Sequence, residues 1–307
     1  MTGTQETTAA RTVQQQPDRA APRPGVGRSA GRLLAAVPPP GLILCGMLFR
    51  QLGAALAKPL FQVTGAFGVT TLRLVFSALV LSLAWRTSLR VGRRALPAVF
   101  ACGTVLAGMN FAFYQALDRI PMGVTVAIEL LGPLAFAVAS SRRWSDAAWA
   151  LLAAVGVVLL TEVDGGLSWA GVAFALIAAG CWVGYILLGA KLSSRTNDGA
   201  GLALAMVWGA LLALPVGLAD AGTSLLQPYV LAIGCCLALL SSVVPYSLEF
   251  RALRQIPPRV FGVLMSLEPA IAALVGLVVL SQRLGPSQWV ALGCVVAASL
   301  GVVTRNR

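Results

Sequence analysis

Two stretches, YQALDRIPMGVTVAIELLGP (114–133) and FRALRQIPPRVFGVLMSLEP (250–269), align without a gap at an offset of 136 residues. Seven of the twenty positions are identical: Ala116/Ala252, Leu117/Leu253, Ile120/Ile256, Pro121/Pro257, Val124/Val260, Leu131/Leu267 and Pro133/Pro269. The paired prolines weigh most, because apolar identities are cheap in a chain that is 58% hydrophobic. A second register sets GAALAKPL (53–60) over ILLGAKLS (186–193) at an offset of 133 and pairs the chain's two lysines, Lys58 and Lys191. Each lysine reads as a side chain snorkelling at a helix end, and their equivalence marks a duplication.

Composition says where the duplicated unit resides. Of 307 residues only 11% are charged, and mean hydropathy is +0.83. A soluble domain has about a quarter of its residues charged, so this chain lacks the polar surface to face water and reads as an integral membrane protein. Ten apolar segments of about 20 residues, the length a helix needs to span a bilayer, fall near 41–61, 67–85, 96–117, 121–141, 146–162, 168–191, 200–219, 228–248, 257–280 and 285–303. The expected fold is all-α, ten transmembrane helices in two five-helix repeats, 39–165 and 166–307. A polar tail, 1–38, is too poor in apolar residues to form a core and is expected to be disordered and cytoplasmic. Five is odd, so the two copies run in opposite directions through the membrane, an arrangement suited to alternating access at a site between them.

Charge fixes the expected orientation. Of the 23 Lys and Arg residues, Arg50 and Arg73 fall inside spans, Lys58, Arg119 and Arg283 lie on one side, and the remaining 18 lie on the other. The positive-inside rule then puts both termini in the cytoplasm. The net charge of +12 is no nucleic-acid signature, because the basic residues form short clusters between apolar runs and no stripe with aromatics. There is no histidine, which removes His-metal sites, His-based triads and histidine proton relays. Cys45, Cys102, Cys181, Cys235, Cys236 and Cys294 all sit in apolar stretches without CxxC spacing and read as small buried fillers. No cofactor or metal is expected. The expected partners are a small molecule and the bilayer.

The motif order resembles the drug/metabolite transporter superfamily, its EamA branch, and within it the threonine/homoserine exporters. The carriers are GAALAKPLF (53–61), GVTTLRLVFSALVL (68–81), GMNFAFYQAL (108–117), IPMGVTVAIELLGPLAFAVASSRR (120–143), CWVGYIL (181–187) and VPYSLEFRALRQIPPRVFGVLMSLEPAIAAL (244–274). The likeness covers about 41–304 and implies ten helices, cytoplasmic termini and efflux of small amino acids or related metabolites. Arg50, a charge in the first span, departs from that pattern.

The residues themselves nominate a site. A mid-membrane carboxylate costs on the order of 3 kcal/mol to insert and therefore faces a cavity or a partner. Two such groups exist, Glu129 in the fourth span and Glu268 in the ninth. The repeat alignment sets Glu129 opposite Met265 and Glu268 opposite Gly132, within one helical turn of equivalent depth. Pro269 removes a backbone donor and loosens the turn that carries Glu268, and loosened backbone is tolerated where it lines a wet cavity. Both carboxyls are candidates for a substrate ammonium or a proton; a hydrogen bond between helices is the plain alternative. Arg73, with Thr70 and Ser77 on its face, has the geometry to hold a substrate carboxylate or to pair with a glutamate. Asn110 ends a stripe with Gly103 and Ala107 that continues to Tyr114, suited to a substrate hydrogen bond or an interhelical one. Trp182 and Tyr185, at i and i+3, and Tyr246 beside Pro245 can wall an ammonium by cation–π attraction or simply pack. Gln51, on the face of Lys58, is a further candidate, and Arg50 either neutralises a carboxylate or snorkels, with snorkelling the preferred reading.

The expected function is a plasma-membrane exporter of small neutral amino acids, threonine and homoserine first, working by alternating access with possible proton exchange. The same fold carrying aromatic amino acids, cysteine metabolites, nucleosides or drugs is the nearest rival. A membrane enzyme is disfavoured because the short loops hold no catalytic cluster, and a channel because of the inverted repeat.

Overall fold

Pro39–Ala84 is a single 46-residue helical element, α1. Straight, it would run about 69 Å at about 1.5 Å per residue, more than twice the hydrocarbon core. It folds back at Gly65, whose φ of 65° and ψ of 169° break the helix. Only glycine occupies that region without strain, and Asp220 packs against the position a Cβ would take. The two arms of α1 are the expected first and second spans. The computed structural model describes residues 37–84, 91–139, 168–193, 200–245 and 264–305, with isolated positions at 148, 151, 152, 155, 156, 196, 248, 252 and 255. The tail before residue 37 and most of the expected fifth span lie outside the described residues.

After α1 come a 3-10 turn, Arg93–Ala95, and the helices α2 (Leu96–Arg119), α3 (Met122–Ala139), α4 (Trp169–Ser193) and α5 (Ala200–Ala221). A second 3-10 turn, Gly222–Leu226, leads into α6 (Pro228–Ala238), then a π-helical turn, Leu239–Val243, and finally α7 (Glu268–Val279) and α8 (Pro286–Arg305). Among the described residues all regular structure is helical, and four of the helical stretches are long and apolar enough to cross a membrane. Two irregularities follow from prolines. Pro245 has no N–H to offer the carbonyl of Ser241, and the helix answers with the wider π turn just before it. Pro269 sits at the start of α7, where its missing donor costs nothing, and the chain at Ser266 and Leu267 is a turn. In the stretch expected as the ninth span, the described helix therefore begins anew at Glu268.

The helices interlock across the two halves of the chain. α1 packs on α5 and α6, α2 on α4 and α5, and α3 on α4, α7 and α8. Small residues let these axes approach. A Cβ on Gly123 would lie 2.7 Å from the Ala273 Cβ, and one on Gly53 would lie 2.9 Å from the Ser241 backbone nitrogen. One cluster of buried side chains, including Leu60, Val69, Tyr114, Met122, Leu237 and Val275, joins α1, α2, α3, α6 and α7. Outward faces carry Leu79, Leu83, Ile177, Leu211, Leu218 and Val278, the last 78% exposed. An apolar exterior of this extent suits lipid and is poorly suited to water.

Candidate functional site

A cavity of about 330 Å³ opens where α1, α2, α3, α4, the π turn and the break before α7 meet. Of the eight residues nominated from the sequence, seven line it: Gln51, Arg73, Asn110, Glu129, Trp182, Tyr185 and Glu268. The eighth, Tyr246, lies outside the described residues. The helix geometry accounts for the convergence. Arg50 and Gln51 come from the first arm of α1 and Arg73 from the second, because the fold at Gly65 brings the arms side by side. Glu129 descends from α3, and Glu268 opens α7 at the mid-span break.

The charges are divided unequally. Arg50 Nη1 donates to Glu268 Oε1 at 3.1 Å, with side-chain exposures of 21% and 4%. Arg50 thus does not snorkel: a carboxylate from a helix 218 residues away supplies its counter-charge inside the protein. Gln51 Nε2 donates to the same Oε1 at 3.1 Å. The remaining oxygens, Glu268 Oε2 and Gln51 Oε1, are buried without a hydrogen-bond partner, as is Ser241 Oγ. An acceptor so placed costs about 1–3 kcal/mol, so a cluster of them in one cavity is a departure a stable fold needs a reason to keep.

Arg73 and Glu129 are different. Arg73 Nη1 reaches the Tyr114 hydroxyl at 3.4 Å, and its guanidinium carbon lies 5.4 Å from the Tyr114 ring centroid. Among the described residues no carboxylate pairs with it. Glu129 is partly buried and forms neither a hydrogen bond nor an ion pair with a described residue, although Glu268, Arg73 and Arg50 are close enough for their charges to act on it. Among the described residues the cavity therefore presents one ion pair, one cation that no carboxylate neutralises and one carboxyl without a hydrogen bond. Trp182, Tyr185, Phe113, Met109 and Met265 supply an apolar wall.

Some nominated neighbours serve the fold. Thr70 donates to Ala66 O at 2.7 Å, within its own helix, and Ser77 donates to Ser242 Oγ at 3.1 Å. Asn110 spends its amide N–H on Leu106 O at 2.8 Å and offers the cavity only its other groups. Met109, Phe113, Ser241 and Met265 are cavity residues that the sequence did not nominate. Met265 had a signal, being the repeat equivalent of Glu129. Ser241 had a weaker one, as the residue whose carbonyl Pro245 deprives of a donor.

The profile of the EamA-like transporter family matches residues 169–304. The threonine/homoserine exporter RhtA of Escherichia coli K12 is 41% identical over 266 residues, covering 85% of this chain and 89% of that protein. The exporter of the same name from Salmonella typhimurium LT2 is 40% identical with the same coverage. An uncharacterized transporter of Bacillus subtilis, YwfM, is 25% identical over 251 residues, 79% of this chain and 85% of its own. A crystal structure 19% identical in sequence superposes with a TM-score of 0.56 over 85% of this chain and 95% of that one, a likeness of fold alone. The relatives carry the names of transporters and none that of an enzyme, and the motif resemblance holds across both halves. The chain belongs to the EamA-like transporter family.

Proposed function

We propose that the protein exports small neutral amino acids, threonine and homoserine first, from a site between Arg73 and Glu129. The observation that carries this reading is the pair of unmatched groups in one cavity. An amino acid is a zwitterion, with a carboxylate for Arg73 and an ammonium for Glu129. The planar guanidinium donates two parallel hydrogen bonds to a carboxylate. Trp182 and Tyr185 flank the ammonium, and Asn110 orients the bound molecule, as does Tyr246. The identity of 41% to a protein named for threonine and homoserine export supports the choice of cargo.

The transport cycle is alternating access driven by exchange for protons. Ten spans in two inverted repeats, 39–165 and 166–307, with both termini cytoplasmic, provide its frame. The packing supports that frame: shifting every span by five carries the contacts of α2 with α4 onto those of the π turn with the first arm of α1, where Ser241 meets Gly53, and the contacts of α3 with α4 onto those of α7 with the same arm, where Glu268 meets Gln51. A second reading, the same cycle with a bulkier amino acid, draws on the wall of Phe113, Trp182, Tyr185, Met109 and Met265. Cells loaded with threonine- or phenylalanine-containing dipeptides separate the two. The first reading expects the protein to lower the internal threonine and homoserine pools. Lowering of phenylalanine alone selects the second, and movement of none refutes both.

A further inference from the structure

Glu268 and Gln51 are 3% and 2% exposed, and the bond between them uses one atom of each. The atoms left over, Glu268 Oε2 and Gln51 Oε1, are both acceptors and both unpartnered. With the carboxylate ionised, no arrangement of these two side chains satisfies both. Flipping the amide merely brings its oxygen against Oε1. A single proton on Oε2 resolves the defect, because Oε2–H then donates to Gln51 Oε1 while Gln51 Nε2 continues to donate to Oε1. The result is a doubly hydrogen-bonded acid–amide pair. Among the described residues Glu129 has no comparable partner. We infer that Glu268 is the protonation site of the transport cycle, with Gln51 the positioning residue that receives its proton, and that Glu129 is left to the substrate.

This inference rests on the exchange reading above and divides the labour between the two carboxyls. The groups facing Glu268 are Arg50 and Gln51 from the first arm of α1, Arg73 from the second, Glu129 from α3 and Ser241 from the π turn. Among the described residues, no ionisable residue of α8, which also packs on α7, lines the cavity. The switch is between a carboxylate held by Arg50 and Gln51 and a carboxylic acid held by Gln51. A metal cation fits the same oxygens less well. Arg50 already brings positive charge to Glu268, and the described residues hold no cluster of three acidic, Cys or His ligands.

The test begins without substrate. Infrared difference spectra of the full chain in lipid bilayers, taken between acid and alkaline buffer, report the C=O stretch of a protonated carboxyl. That band should be lost in Glu268→Gln, persist in Glu129→Gln, and move to higher frequency in Gln51→Leu, where the acid loses its hydrogen-bonded partner. Loss in Glu129→Gln with persistence in Glu268→Gln overturns the assignment, as does a titration abolished by added sodium. An unmoved band in Gln51→Leu overturns the role of Gln51. In proteoliposomes, Glu268→Gln should lose threonine accumulation driven by a pH gradient by a larger factor than it loses exchange of labelled for unlabelled threonine. Equal loss of both overturns the division of labour. If the wild type moves no threonine, the cargo reading fails, and the infrared result judges the proton site separately.

Discussion

The ion pair between Arg50 and Glu268 offers a quantitative test of the cavity. Arg50→Met keeps most of the apolar stem and removes the charge. Two unit charges about 4 Å apart attract by about 4 kcal/mol at an effective dielectric near 20. Screening through the exposed fifth of Arg50 reduces that figure, while the buried Glu268, left with Gln51, loses most of its compensation. Removing one partner of a fully buried pair costs about 3–5 kcal/mol, and the partial exposure puts Arg50→Met nearer about 2–3 kcal/mol in alkaline buffer. For a chain of this size that lowers the melting temperature of the detergent-solubilised protein by at least several degrees. The double variant Arg50→Met/Glu268→Gln leaves no stranded charge and should recover at least half of the loss. An Arg50→Met protein that melts like the wild type in alkaline buffer, or a double variant whose loss is the sum of the singles, refutes the reasoning.

Gly65→Ala forces a side chain into a left-handed conformation beside Asp220 and should cost about 1–3 kcal/mol, read as a lowered melting temperature; an unchanged melt means the fold at Gly65 does not need glycine. Gly123→Val pushes α3 away from α7 at the crossing with Ala273 and should cost about 1–3 kcal/mol, with a broader size-exclusion profile as the visible sign. Glu129→Gln removes a charge-assisted contact worth about 1.5–3 kcal/mol, so threonine affinity measured calorimetrically should fall by about tenfold or more; a smaller change places the ammonium elsewhere.

Much of this site could be read in the sequence because membrane burial makes polar residues conspicuous. Glu129, Glu268, Arg73, Asn110 and Gln51 stand out against an apolar background, and helical periodicity with the repeat alignment put the two glutamates at similar depth. Pro269 announced the break that carries Glu268. The partnership of Arg50 with Glu268 was not legible. Periodicity gives a residue's face and depth but does not say which helices, 218 residues apart in the chain, stand next to each other. Thr70 and Ser77 misled for a related reason: sharing a face with Arg73 did not mean sharing its cavity, since one hydroxyl returns to its own helix and the other bridges to Ser242. The union of the first two spans in one hinged helix rests on the backbone of Gly65, where glycine alone gives no sign of the φ it adopts.

The central claim is that Arg73 and Glu129 hold the two ends of an amino acid. Its most direct test is binding to the purified full chain of threonine, threoninol (which lacks the carboxylate) and N-acetylthreonine (which lacks the ammonium), each against wild type, Arg73→Gln and Glu129→Gln. The expected result is a matched pattern. Wild type prefers threonine to both analogues, Arg73→Gln loses the preference over threoninol, and Glu129→Gln loses the preference over N-acetylthreonine. Both variants rejecting the analogues as strongly as the wild type does would contradict the claim, because the two charges would then be recognised elsewhere.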